Sequence, residues 1–278
     1  EFAREFAREF AREFAREFDF VEIENFLNPT IKASLPDPFQ LLDMGVAVEK
    51  IISVIKSGKK ITVFGDYDVD GATSSALLKR FFASVEVEIE IYIPDRILEG
   101  YGPNVEALLN LKKQGTDLVI TVDCGTVAFE ALEAAHQAGL EVIVIDHHIG
   151  AFDKPQAIAV VNPNRLDENF PHKNLAAVGV SFLLAVAVNK ALREMGFYVE
   201  NNLSEPNLLS LLDLVALGTV CDVMTLDGVN RAFVAQGLKI MKSRTNIGIR
   251  ALFDVAGLDE EPSAYHLGFV IGPRINAG

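Results

Sequence analysis

Four short segments of this chain carry residues whose types and spacing suit metal-assisted chemistry. Asp66, Asp68 and Asp70 alternate along Gly65-Asp-Tyr-Asp-Val-Asp-Gly71, Asp123 ends a Val/Ile-rich run, Asp146, His147 and His148 stand in a row, and Asp222 closes Leu217-Gly-Thr-Val-Cys-Asp222. Taken singly, each has an ordinary explanation: an acid at a strand end is a common turn former, and a single histidine more often makes a hydrogen bond than binds metal. Taken together they call for cations. Two like unit charges about 4 Å apart repel by about 4 kcal/mol at an effective dielectric of about 20, and four or five carboxylates would multiply that cost. Carboxylates joined by one or two imidazoles favour hard or borderline ions such as Mn²⁺ or Mg²⁺ over a thiolate-bound zinc. If Asp123 bridges two ions roughly 3.5–4 Å apart, the site can activate a water and stabilise the leaving oxygen of a phosphoester. The expected reaction class is metal-assisted hydrolysis of a phosphoester or phosphoanhydride.

Features that could hold a phosphate lie nearby in sequence. Gly71-Ala-Thr-Ser74-Ser75 opens a helix beside the acids, Gly179 and Ser181 stand near the start of a long helix, and Gly272-Pro-Arg274-Ile-Asn276 supplies a cation and an amide. Helix amide donors and hydroxyls suit an anion. Tight turns and helix caps are the plainer explanation for the same glycines and serines. Cys124 and Cys221 each adjoin a candidate ligand, but free cysteine behaves as a small hydrophobe, and both are read as packing residues. His136, His172 and His266 have no motif around them and are read as surface or capping residues.

The elements that must position these groups alternate with regular spacing. Strands are expected at 60–65, 85–93, 117–122 and 140–145, with helices at roughly 46–57, 72–83, 103–114 and 128–138. Short Val/Ile-rich runs separated by helices indicate an α/β fold, a mostly parallel sheet with helices on both faces. The acids then fall at the carboxyl ends of strands, where open parallel sheets build their sites. Beyond residue 162 the pattern turns helical, at roughly 175–195, 206–217, 229–243 and 247–256, with no linker composition to mark a boundary.

With 278 residues, half of them apolar, the chain can bury a sizeable core, which excludes a disordered or fibrous chain. Its 25 basic against 39 acidic residues give a formal charge of −14, which disfavours a broad basic nucleic-acid face but not metal binding. The longest run free of charged and amide side chains, residues 175–188, is shorter than the roughly 20 residues a membrane span needs. Two cysteines are too few for a disulfide framework, so a reduced, cytoplasmic setting without a membrane is expected. Residues 1–18 repeat Glu-Phe-Ala-Arg with a perfect four-residue period, and are read as foreign to the fold, an artefact or a placeholder, with the domain proper in 19–278.

Gly65-Asp-Tyr-Asp-Val-Asp-Gly71, Val122-Asp-Cys-Gly125, Asp146-His-His148, Ala216-Leu-Gly-Thr-Val-Cys-Asp222 and Gly272-Pro-Arg-Ile-Asn-Ala-Gly278 resemble the ordered motifs of the DHH phosphoesterase superfamily. With Tyr92-Ile-Pro-Asp-Arg-Ile-Leu-Glu-Gly-Tyr-Gly-Pro103, the likeness is nearest to its bacterial single-strand-specific 5′ to 3′ DNA exonucleases and runs from about residue 26 to the end. The resemblance implies that Asp68, Asp70, Asp123, His147 and Asp222 ligate two Mn²⁺ or Mg²⁺ ions, with Asp123 shared. It implies a catalytic group of His148 facing the scissile phosphate, Asp146 orienting the histidines, and Asp66. It implies that Arg274 and Asn276 help hold substrate, to which the helix-start reading adds Ser74, Gly179 and Ser181 as candidate substrate contacts. Small pyrophosphatase members carry a metal-binding histidine where this chain has Phe64, and Asp66 is expected to take that place. The resemblance further implies single-stranded DNA as substrate, a role in DNA repair and recombination, helicases or single-strand-binding proteins as partners of a full-length enzyme, and DHHA1 and oligonucleotide-binding domains beyond the segment present here. Rival readings are a phosphodiesterase for short oligonucleotides, a pyrophosphatase, and a non-enzymatic DHH-fold scaffold of a replication assembly.

Overall fold

Runs of β-branched residues in the first half of the chain build a wholly parallel five-stranded sheet, seen in a computed structural model that describes residues 25–277. The repeat at 1–18 lies outside the described residues. In chain order, α1 (Met44–Lys56) leads to β1 (Ile61–Gly65), α2 (Val69–Ser84), β2 (Ile89–Tyr92), α3 (Val105–Lys113), β3 (Leu118–Val122), α4 (Phe129–Gln137), β4 (Glu141–Ile145) and β5 (Ala159–Val161). The strand order is β2-β1-β3-β4-β5. Three residues of β5 are too few to show a period, and the sequence reading misses that strand.

Alternation along each strand divides the core in two. Ile61, Val63, Leu118, Ile120, Val122, Ile143, Ile145 and Val161 face a large core that continues into α1, α2 and the later helices. Phe64, Val119, Val142, Val144 and Val160 face a smaller one closed by α3 and α4. A parallel sheet covered on both faces needs apolar residues at successive positions, and the strands supply them.

The helical half comprises α5 (Ala177–Glu194), α6 (Leu212–Cys221), α7 (Gly228–Met241), α8 (Ile247–Ala256), and a π-helical turn, His266–Ile271, that runs directly into α9 (Gly272–Asn276). Its apolar residues, from Ala176 to Ile271, join the same large core as the sheet. The expected helix at 206–217 is displaced: a 3-10 turn, Leu208–Leu211, precedes α6, whose end at Cys221 makes Asp222 its C-cap. The helix expected from residue 72 begins three residues earlier, because the Asp68 carboxylate accepts the Gly71 N–H at 3.0 Å and starts α2 at Val69. Among the described residues no helix is long and apolar enough to cross a membrane.

Candidate metal centre

The strand register brings the acids together. Gly65 pairs with Val122 and Val122 with Ile145, so Asp66, Asp123 and Asp146 stand side by side one step beyond the paired ends. The backbone ladder continues through that step: Asp66 N–H reaches Val122 O at 3.2 Å, Asp123 N–H reaches Ile145 O at 3.0 Å, and Asp146 N–H reaches Val161 O at 3.2 Å. Asp123 then turns the chain with φ 63°, a left-handed conformation that Asp and Asn tolerate better than most residues.

Helix ends complete the ring. Asp68 and Asp70 lie at the start of α2, where the helix dipole favours negative charge. Asp222 lies at the opposite kind of end, the C-terminus of α6, where the dipole adds to the cost of a carboxylate. Close approach of α6 to α2 depends on Gly218: a Cβ there would stand 2.4 Å from Thr73 Oγ1 and 3.0 Å from Asp70 Oδ1.

His147 Nε2 sits at the middle, 3.3 Å from Asp123 Oδ1, 3.4 Å from Asp222 Oδ2 and 3.8 Å from Asp70 Oδ2. Three overlapping sets of side chains converge closely enough to share an ion: Asp66, Asp68 and Asp123; Asp70, His147 and Asp222; and Asp123, His147 and His148. The atoms that meet here are buried and lack hydrogen-bond partners, namely Asp66 Oδ1, Asp123 Oδ1, His147 Nε2 and Asp222 Oδ2. A buried polar atom without a partner costs about 1–3 kcal/mol, more when charged; with Asp123 Oδ1 and Asp222 Oδ2 flanking His147 Nε2, and Asp66 beside Asp68 and Asp123, these atoms match divalent-ion sites.

The titration behaviour has the same origin. Burial pushes Asp66 and Asp222 up to about 6, with the neighbouring Asp68 charge adding to both. Asp123 is raised further by burial and then by Asp70 and Asp68, and Asp70 likewise by burial and by Asp222. Burial, and then the charge of His148, lowers His147 and favours the neutral imidazole that a metal requires.

Asp146 differs from its neighbours. Its Oδ1 accepts from the backbone N–H of His147 at 2.7 Å, from that of His148 at 3.2 Å and from His148 Nδ1 at 2.7 Å, and its Oδ2 accepts from Thr126 N–H at 3.0 Å. Those bonds, above all from His148, overcome the burial that opposes them and hold its pKa below the usual carboxylate range. In turn the Asp146 hydrogen bond raises His148, which remains half exposed. Asp146 has the surroundings of a group that orients a histidine.

The expected phosphate-holding residues fare otherwise. Ser74 and Ser181 are fully buried, and their hydroxyls have no hydrogen-bond partner. Gly179 is also buried, and a Cβ there would press on Leu175 at 3.1 Å and approach Phe233 of α7 at 3.8 Å, a packing role. The start of α5 is already filled: Asp70 accepts Ala177 N–H at 2.6 Å and Val178 N–H at 2.8 Å, taking the donors an incoming anion would need. Arg274 is exposed and donates to Val270 O at 2.6 Å, while Asn276 Oδ1 accepts Val69 N–H at 3.1 Å. Phe64 is fully buried and stacks on Tyr92, with ring centroids 5.1 Å apart. Cys124 is buried, and burial pushes the Cys221 thiol up to about 12, so both remain neutral. His266 caps the turn before it, accepting Ser263 N–H on Nδ1 at 3.1 Å.

Three residues that the sequence reading does not single out also shape the site. Asn162 donates to His148 O and to Thr126 Oγ1, both at 2.8 Å, and Asn164 donates to His147 O at 2.6 Å. Tyr101 donates to Asp123 O at 2.9 Å, and its hydroxyl lies 3.4 Å from His148 Nδ1. The paired asparagines of Val160-Val-Asn-Pro-Asn-Arg165, with a buried strand just before them, are the one sequence signal that could have flagged the clamp.

A family model described as the DHH family, N-terminal domain, matches residues 60–219. The single-stranded-DNA-specific exonuclease RecJ of Escherichia coli (strain K12) is 42% identical over 254 residues, covering 90% of this chain and 44% of that protein. The protein of the same name from Thermus thermophilus is 36% identical over 249 residues, covering 88% of this chain and 35% of its own length. Among solved structures, exonuclease RecJ bound to manganese superposes with a TM-score of 0.72 at 34% identity, covering 85% of this chain and 57% of that one. RecJ of Thermus thermophilus in complex with Mn²⁺ gives a TM-score of 0.71 at 32% identity, covering 91% of this chain and 34% of that one. The chain spans less than half the length of the curated relatives it matches.

Proposed function

The chain belongs to the DHH family, and on that premise we propose that it is the metal-binding catalytic domain of a single-stranded-DNA exonuclease acting 5′ to 3′, with DNA repair and recombination in the cytoplasm as its setting. The observation that carries this reading is the convergence of Asp123 Oδ1 and Asp222 Oδ2 on His147 Nε2, all three atoms buried and without partners, beside Asp66 at the carboxyl ends of a parallel sheet. Asp68, Asp70, Asp123, His147 and Asp222 would hold two Mn²⁺ or Mg²⁺ ions, with Asp66 beside Asp68 and Asp123. Such ions, when bound, supply an activated water and charge stabilisation at a phosphoester.

The chain's own residues prepare the rest. His147, kept neutral, offers Nε2 to the cluster while Asn164 pins its carbonyl. His148 is fixed at Nδ1 by Asp146 and stands half exposed, which supports a role in meeting a phosphate or passing a proton. Tyr101 anchors the left-handed turn at Asp123 from outside. Retention of the full acid and histidine set speaks against a non-enzymatic scaffold. Helicases or single-strand-binding proteins are the partners this reading would give the longer enzyme.

Calorimetric titration with Mn²⁺, followed by hydrolysis assays on a 5′-labelled long single strand, a dinucleotide and pyrophosphate, tests the proposal. Two Mn²⁺ equivalents and preference for the long strand are expected. Preference for dinucleotide or pyrophosphate would move the assignment to another branch of the family, and no Mn²⁺ binding would overturn it.

A further inference from the structure

We propose that Asn276 is a positioning residue for the acidic turn that opens α2, acting on the ions through Asp68 and Asp70. This rests on the reading that those two carboxylates hold metal.

The first backbone donors of a helix have no partner within it. In α2, Asp68 Oδ1 serves Gly71 N–H, and Val69 N–H is served by Asn276 Oδ1 from the far end of the described chain. Val69 lies between Asp68 and Asp70, so the orientation of its peptide sets the direction of both carboxylates. Asn276 therefore holds the turn where small rotations matter most.

Its own placement is secured on the other side of the site. Leu267 O, in the π-helical turn, accepts Gly272 N–H and the Cys221 thiol, the latter at 3.4 Å. A Cβ on Gly272 would stand 2.5 Å from Cys221 Sγ, so the strap from His266 to Asn276 lies directly against the residue preceding Asp222. One continuous strap thus touches the backbone beside Asp68 and Asp70 at one end and the residue before Asp222 at the other. The Asn276 carbonyl oxygen is committed to Val69 N–H, which ties this side chain to the acidic turn.

The test compares Asn276→Leu, which keeps the size and removes the acceptor, with Asn276→Asp, which restores it, in the 278-residue protein. Mn²⁺ affinity is read by calorimetry, Val69 amide exchange by NMR in the ion-free protein, and affinity for a single-stranded oligonucleotide by fluorescence anisotropy. Asn276→Leu should speed Val69 exchange and weaken at least one Mn²⁺ site by about tenfold, and Asn276→Asp should recover most of both, as for other residues that orient metal ligands. Unchanged Mn²⁺ affinity in Asn276→Leu with weaker oligonucleotide binding would overturn the proposal in favour of a substrate contact. Equal Mn²⁺ losses in the Leu and Asp variants would also overturn it, because the acceptor would then be irrelevant. If Asn276→Leu does not fold, Asn276→Ala carries the same comparison. A wild-type protein that binds no Mn²⁺ would instead remove the metal reading itself.

Discussion

Two groups of carboxylates stand close together around the strand ends and behave in opposite ways. Asp146 is almost fully buried, yet four hydrogen bonds satisfy its oxygens and hold its pKa low. Asp66, Asp123 and Asp222 each keep an oxygen that is buried and unpartnered, and their pKa values are raised. The residue type is the same and the partners differ. Burial with donors makes a fixed charge that orients its neighbours, whereas burial without donors makes a charge that only an ion or a proton can neutralise. The comparison separates Asp146 from Asp66, Asp123 and Asp222; Asp70 stands between them, accepting two backbone N–H groups while burial and the Asp222 charge still raise it.

The strongest way to break this division is Asp123→Ala. Asp123 takes part in two of the three converging sets, so its loss should weaken both ions and remove several kcal/mol of transition-state stabilisation, about three orders of magnitude or more in turnover. Two tight Mn²⁺ sites persisting in that variant, seen by calorimetry, would contradict the assignment. His148→Ala should cost less, about 10²–10³-fold in turnover, with both ions still bound, because its Nδ1 is committed to Asp146 and its ring lies at the rim. Loss of one Mn²⁺ equivalent would make His148 a ligand instead.

On the other side of the comparison, Asp146→Asn keeps the shape and removes the charge that orients His148. Turnover should fall by about 10–100-fold with Mn²⁺ stoichiometry intact, the usual range for a group behind the reacting residues. A fall as large as that of Asp123→Ala, with ions lost, would erase the distinction between the two groups.

Much of this arrangement is legible in the sequence, for reasons that are local. The Val/Ile runs define β1, β3 and β4, and a parallel register then places Asp66, Asp123 and Asp146 in one row. What escapes the sequence depends on tertiary contacts. Nothing in Gly179-Val-Ser181 tells that Asp70, from a distant segment, already occupies the start of α5, so a phosphate site looks open there when it is filled. Ser74 sits one helical turn from Asp70, but its position on the buried side of α2 depends on how α5 and α6 dock against it. Asn162 and Asn164 belong to a turn after a three-residue strand, too short to signal that its asparagines reach back to the histidine carbonyls. Periodicity reports elements and their ends, whereas hydrogen-bond partners across elements appear only when the elements pack.

The mildest perturbation, a change of pH, sharpens the comparison. In the ion-free protein Asp66 and Asp222 titrate near 6, so an ion entering below that pH must displace their protons. The sign is fixed by the direction of the shift: a raised carboxylate is protonated on the acid side, and metal affinity falls as pH falls. Between about pH 7 and pH 5 the apparent Mn²⁺ affinity should drop by up to about tenfold per pH unit for each proton displaced, more steeply below about pH 6 as Asp66 and Asp222 add theirs. Asp123, raised further by burial and by the charges of Asp70 and Asp68, should still release a proton at about pH 7, visible as a dependence of the calorimetric heat on the buffer's ionisation enthalpy. Asp146 should contribute nothing over this range, because its carboxylate is already ionised and bonded. In Asp146→Asn the pH dependence of Mn²⁺ affinity should therefore match the wild type, while Asp222→Asn should flatten it. An affinity independent of pH across this range in the wild type would mean that the unpartnered acids are neutralised by something other than protons or ions, and the contrast between the two groups would lose its electrostatic basis.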